Sequence, residues 1–157
     1  MDRLTVREFL DSLPSIPELP VVETGSPLRE VVRAMVKGHR RRIVYVVDSA
    51  GGLKGAIALD DLKDVIFRCY LDGRVSDALV VTEHIEKIFI SDSAEDIMDA
   101  NIIVCREKEL LRDVIDRMIE RDVKDIPVVD REGRVIADLD VLDLLELWLK
   151  EGEGVCR

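Results

Sequence analysis

The amino-acid sequence predicts a mixed α/β (α+β) protein built from two copies of one β-α-β-β-α unit. Three observations carry this. The segment PLREVVRAM at 27–35 is similar to LLRDVIDRM at 110–118, with Leu28 and Leu111 lying 83 residues apart. Downstream, VVDSAGGLKGAIALDDL at 46–62 aligns without gaps on VVDREGRVIADLDVLDL at 128–144, with Val46 and Val128 lying 82 residues apart. One residue is therefore lost between the two blocks, and in both copies the apolar period changes in the same order, from helical to strand-like.

Each copy opens with a helical piece, LTVREFLDSL at 4–13 and AEDIMDA at 94–100, leading to a first strand near 20–23 and 101–105. Pro14, Pro17 and Pro20 keep the first connection extended. Leu28, Val31, Val32, Met35 and Val36 then fall on one helical face, as do Leu111, Val114, Ile115, Met118 and Ile119. Ser26 is the expected cap of the first of these helices, Pro27 its first residue and Gly38 its end; the second has no obvious cap. The β-branched runs Ile43 to Val47 and Ile126 to Val129 read as strands, each followed by an Asp- and Gly-rich turn and a second strand at 53–58 or 134–139. A last helix starts near Asp60 or Val141, and Val75, Ala78, Leu79, Thr82 and Phe89 have the spacing of a linking helix. The expected organisation is a first repeat with its N-terminal helix at 1–72, a helical linker at 73–92, a second repeat at 93–150 and a tail at 151–157.

Composition narrows the function classes. With 157 residues, 47% of them hydrophobic and 36% charged, the chain can bury one ordinary core or two small ones. A net charge of -10 argues against a nucleic-acid binder, which needs a basic face, and only His39 to Arg42 breaks the acidic pattern. Cys69, Cys105 and Cys156 lack metal-knuckle or redox spacing and suit a reducing cytosol. The apolar runs fall short of the roughly 20 residues that span a bilayer, so a soluble, cytoplasmic protein is expected. His39 and His84 have no Ser, Cys or carboxylate at triad-like spacing, and no P-loop, Rossmann glycine pattern or HExxH is present; the expectation is that the chain is not an enzyme.

The run IPVVDREGRVIADLDVLDLL, its counterpart IVYVVDSAGGLKGAIALDDLKDVI, and EDIMDANIIV ahead of the second copy resemble the cystathionine-beta-synthase (CBS) domain, over nearly the whole chain outside 70–92 and the tail. The resemblance implies two repeats packed about a pseudo-twofold axis, a flat homodimer, and a cleft beside each repeat for an adenosine-containing ligand. AMP, ADP, ATP or S-adenosylmethionine, with or without Mg2+, are the candidates. It also implies an attached or partner protein that reads the change, and the long link is similar to CBS pairs on ion transporters, so a membrane transporter is one such partner.

The family pattern at the cleft is Gly, two apolar residues, Ser or Thr, two residues, then Asp. A carboxylate at a helix start can accept hydrogen bonds from two ribose hydroxyls, while the hydroxyl and helix N-terminus contact phosphate. GAIALDD at 55–61 keeps Gly55 and Asp61 but has Ala58 in place of the hydroxyl; ADLDVLD at 137–143 keeps Asp143 but has Ala137 and Asp140. Asp61 and Asp143 are the ribose candidates, or else caps of their helices. A carboxylate at Asp140 repels phosphate unless a cation intervenes. Arg42 and Lys124 hold matched places before the central strands and either reach a phosphate or are solvated; Arg40 and Arg41 read as a solvated face. Tyr45 stands where Pro127 stands in the second copy, and either stacks on a base or fills the core. Asp138, Asp140 and Asp143 form an acidic cluster that suits magnesium. The leading expectation is a regulatory nucleotide sensor; the alternatives are a ligand-free dimerisation or docking module and a divalent-cation sensor.

Overall fold

The computed structural model describes residues 3–15, 18–37, 42–72 and 93–151, with the side chains of 68–72 left out. Gly38, the Arg40–Arg41 run, both histidines, Cys156 and the linking helix expected at 75–90 lie outside these residues. The chain divides into two compact units, one of Pro20–Ile102 and the other of Met1–Leu19 with Ile103–Arg157.

The Pro20–Ile102 unit holds strands β1 (Val21–Glu23), β2 (Ile43–Val47) and β3 (Leu53–Ala58), and helices α2 (Leu28–Lys37), α3 (Leu59–Asp72) and α4 (Ala94–Ile97). Its sheet runs β1-β2-β3, with β1 parallel and β3 antiparallel to the central β2. Val44, Val46 and Ile57 face Leu28, Val31, Met35, Leu62 and Ala94 in one core. The predicted stripe of α2 buries Leu28, Val31 and Met35, but Val36 at its end is 59% exposed. Ser26 does not cap α2: its Oγ accepts from the Glu23 N–H at 3.2 Å, and the Pro27 carbonyl receives the Glu30 N–H at 2.9 Å, so Pro27 stands just before the helix.

The other unit repeats the plan. Helix α1 (Val6–Ser12) precedes β4 (Cys105–Arg106), α5 (Leu111–Arg121), β5 (Asp125–Val129), β6 (Val135–Asp140) and α6 (Val141–Glu151), in a sheet of order β4-β5-β6 with the same parallel and antiparallel pairings. Ile126, Val128, Ala137 and Leu139 pack with Leu111, Val114 and Met118. Cys105 belongs to this core, and burial pushes its thiol up to about 12. Ile119, the counterpart of Val36, is 73% exposed.

Helix α1, expected with the first repeat, belongs to the core of the second, where Val6, Phe9 and Leu10 are buried. Backbone donors in its first turn fix it there: Val6 N–H to the Glu109 carbonyl and Arg7 N–H to that of Glu107, both at 2.9 Å. The other unit has the same pair in Ala94 N–H to the Ser26 carbonyl at 2.8 Å and Glu95 N–H to that of Thr24 at 3.0 Å. The helix before each repeat thus completes the other repeat's unit. Helix α4 is shorter than the segment 94–100 suggested, because Met98 turns extended and Asp99 pairs with Ala56 through two backbone hydrogen bonds of 2.8 and 3.0 Å.

The Asp-Gly turns are built alike. Asp48 Oδ1 accepts the Ala50 and Gly52 N–H groups at 2.9 Å, and Asp130 Oδ1 those of Glu132 and Arg134 at 3.0 and 2.9 Å. Gly51 (φ 86°) and Gly133 (φ 79°) supply the left-handed residue in each. These bonds to Gly52 and Arg134 hold both carboxyls below the usual aspartate range.

Candidate functional site

In both units the second antiparallel strand runs directly into the following helix, and one backbone bond fixes that corner. The Leu59 N–H donates to the Arg42 carbonyl at 2.8 Å, and the Val141 N–H to the Lys124 carbonyl at 2.9 Å. The residue before the central strand and the first residue of the helix are thereby tied in both repeats. Asp61 and Asp143 consequently occupy the same place, the third residue of α3 and of α6, Asp61 exposed and Asp143 half-buried.

The capping role foreseen for these two falls elsewhere in the second corner. Asp140 Oδ1 accepts the Leu142 N–H at 2.8 Å, which makes Asp140 the cap of α6. Its counterpart Ala58 ends β3 half-buried, with only a methyl to offer.

Tyr45 and Asp138 lie on the sheet faces opposite the helix-packed cores, by strand alternation from Val44, Val46 and Leu139. Tyr45 is fully buried across from Ala56, with no ring face open to a base. Asp138 is 5% exposed, paired across the strands with Pro127. The acidic cluster does not assemble: Asp138 is buried in the sheet and Asp140 caps a helix. Among the described residues no group of three or more His, Cys, Asp or Glu is placed to hold a metal ion.

Arg42 and Lys124 are both exposed. The Arg42 side chain lines an open groove of about 540 Å3 between α2 and α3, together with Asp60 and Lys63 over a floor that includes Val32, Met35, Leu62 and Ile66. Asp61 and Ala58 do not line it. Sequence reasoning passed over this groove: Val36 keeps the spacing of the buried stripe, and the signal was Phe67, an exposed aromatic on α3. It also passed over Asp125, the cross-strand partner of Asp140, which the 82-residue offset sets against Ile43.

Two units built on one plan, each ending in the same strand-to-helix corner with an Asp in the first helical turn, define a duplicated α/β module. The chain belongs to the CBS domain family, whose pattern matches residues 6–68 and 94–150. Among curated relatives, the magnesium transporter MgtE of Thermus thermophilus is 30% identical over 83% of this chain and 25% of its own length. A homoserine O-acetyltransferase of Methanosphaera stadtmanae is 28% identical over 50% of this chain and 16% of its length. The chain thus spans only a small part of these relatives. Solved structures share the fold. A CBS domain-containing protein of Thermotoga maritima superposes with a TM-score of 0.72 at 22% identity, covering 98% of this chain and 100% of that one. The CBS domain pair of protein MJ0100, in complex with 5'-methylthioadenosine and S-adenosyl-L-methionine, gives 0.67 at 22% over 94% and 98%. The cytosolic domain of the Mg2+ channel MgtE in complex with ATP gives 0.59 at 25% over 83% and 45%. No helix among the described residues is long and apolar enough to cross a membrane.

Proposed function

We propose that the chain is a cytoplasmic regulatory module that senses an adenosine-containing nucleotide through its strand-to-helix corners and passes the change, as a homodimer, to a partner or attached domain such as a membrane transporter. The observation that carries this reading is the matched corner. Leu59 N–H to the Arg42 carbonyl and Val141 N–H to the Lys124 carbonyl set Asp61 and Asp143 at equivalent places beside a helix N-terminus. There a carboxylate can accept two ribose hydroxyls, with a phosphate near the first amides. Arg42 and Lys124, whose carbonyls take the first amide of each helix, are the cations proposed for such a phosphate, Arg42 on turning out of the α2–α3 groove; Ala58 and Asp140 border it, and Tyr45 supports the sheet behind it. The ligands seen on MJ0100 and MgtE are of this chemical class.

Ligand binding to one arrangement of the module shifts its population by no more than the differential affinity for the two states. A thermal-shift and calorimetry panel of AMP, ADP, ATP and S-adenosylmethionine, with and without magnesium, tests the reading. At least one ligand should raise the melting temperature, because it binds only the native state, and Asp61→Ala should abolish or strongly reduce the shift. A flat panel would sink nucleotide sensing.

A second reading, a docking or dimerisation module without ligand, is favoured by the apolar outer face of α6. There Leu142, Leu145 and Leu149 are exposed and Trp148 is 42% exposed. A flat panel together with a dimer in sedimentation would select it.

A further inference from the structure

We infer that only the first corner accepts a phosphate-bearing ligand, because Asp140 already supplies the second with an anion of its own; the chain then takes one nucleotide and not two. This rests on the nucleotide-sensing reading above. In the second corner the Leu142 N–H, one of the amides that a bound phosphate would use, donates to Asp140 Oδ1 at 2.8 Å. The first corner has Ala58 at the matched position, which offers the amide of Asp60 no side-chain acceptor.

A second observation points the same way. Asp125 and Asp140 are cross-strand partners, and Asp138 lies two residues before Asp140 on the same face of β6. At the positions matching Asp125, Asp138 and Asp140, the first repeat has Ile43, Ala56 and Ala58. All three carboxylates of this face are therefore replaced by apolar residues in the corner that keeps both Gly55 and Asp61. The two repeats share one backbone corner and differ in the residue that ends the strand, and a carboxylate at Asp140 in place of the Ala58 methyl disfavours a phosphate there.

The test is a titration of the full chain with AMP, without magnesium, followed by calorimetry and by backbone amide NMR. The wild type should bind one AMP per chain, shifting the amides of Ile57–Leu62 and leaving those of Leu139–Leu144 in place. Asp140→Ala should gain a second equivalent that moves the Leu139–Leu144 amides, and in the wild type that corner should be weaker by about a hundredfold or more. The amide spectrum itself reports that the variant is folded. Two equivalents in the wild type, or shifts at Leu139–Leu144 with the same midpoint as at Ile57–Leu62, would overturn the inference and leave nucleotide sensing standing. So would an Asp140→Ala variant that still binds one AMP. Absence of heat and of shifts at both corners, in both proteins, would overturn the inference, and the wider nucleotide panel would then decide whether the sensing reading falls with it.

Discussion

A Cβ built on Gly55 would come within 2.7 Å of the Asp99 carbonyl oxygen and 2.8 Å of Met98 Sδ. Glycine is needed there because Met98 and Asp99 leave α4 and lie across β3, an approach that a methyl group would block. In the matched place of the other unit, α1 runs on to Ser12, and Ala137 is accommodated in the core. The Gly of the family pattern thus answers to a neighbouring backbone in this chain. Gly55→Ala should cost about 1–3 kcal/mol, the usual range for overpacking, and chemical denaturation would measure it. Wild-type stability in that variant would mean that the 98–99 segment moves aside freely. Asp48 and Asp130 bear on pH. Their folded-state pKa values are depressed by backbone donors, so the stability they add is present above the unfolded value near about 4 and is lost as pH falls through the folded one. Melting curves of wild type and Asp130→Asn should therefore differ most above about pH 5 and converge below about pH 4; a gap that widens in acid would contradict the assignment.

At the scale of elements, the periodic stripes and β-branched runs made the helices and strands of both repeats legible, since burial of one face writes itself into residue spacing. Val36 and Ile119 show the limit of that signal: they keep the apolar spacing but point off the sheet, and only packing tells the two cases apart. Ownership of the flanking helices was not legible. Nothing local in VREFLDS says that its partners lie about a hundred residues downstream, because the deciding bonds run from its first amides to the Glu107 and Glu109 carbonyls. The site was half legible. The positions of Asp61 and Asp143 followed from the motif, whereas the capping bond of Asp140 depends on a rotamer that the sequence does not record. Phe9 offers the sharpest check on helix ownership, being almost fully buried among second-repeat residues. Phe9→Ala should cost about 3–5 kcal/mol. Hydrogen exchange should then rise first in α5 and β5, around Val114 and Ile126, while Val31 and Val44 of the other unit keep their protection. The opposite order would return α1 to the first repeat.

For the whole molecule the exchange of flanking helices means that no cut between the repeats leaves two complete halves. A fragment ending in 73–92 carries α1 away from its core, and the fragment that follows lacks Val6, Phe9 and Leu10 while keeping α4, which belongs to the other unit. Burying those three side chains contributes roughly 1.5–3 kcal/mol each. Their joint loss is therefore comparable to the roughly 5–15 kcal/mol that separates a folded domain from its unfolded chain. The first fragment loses less, chiefly Ala94 and the pairing of Asp99 with Ala56, and should keep more residual structure. Each half holds what the other needs, so mixing them should restore both units, with a stability that depends on fragment concentration because the repair has become bimolecular. Circular dichroism and amide NMR of the separate and mixed fragments would show it. The second half should be largely unfolded alone and regain the native amide pattern on titration with the first. If both halves proved fully native by themselves, the helices would be dispensable, and the exchange seen in the fold would have no energetic weight.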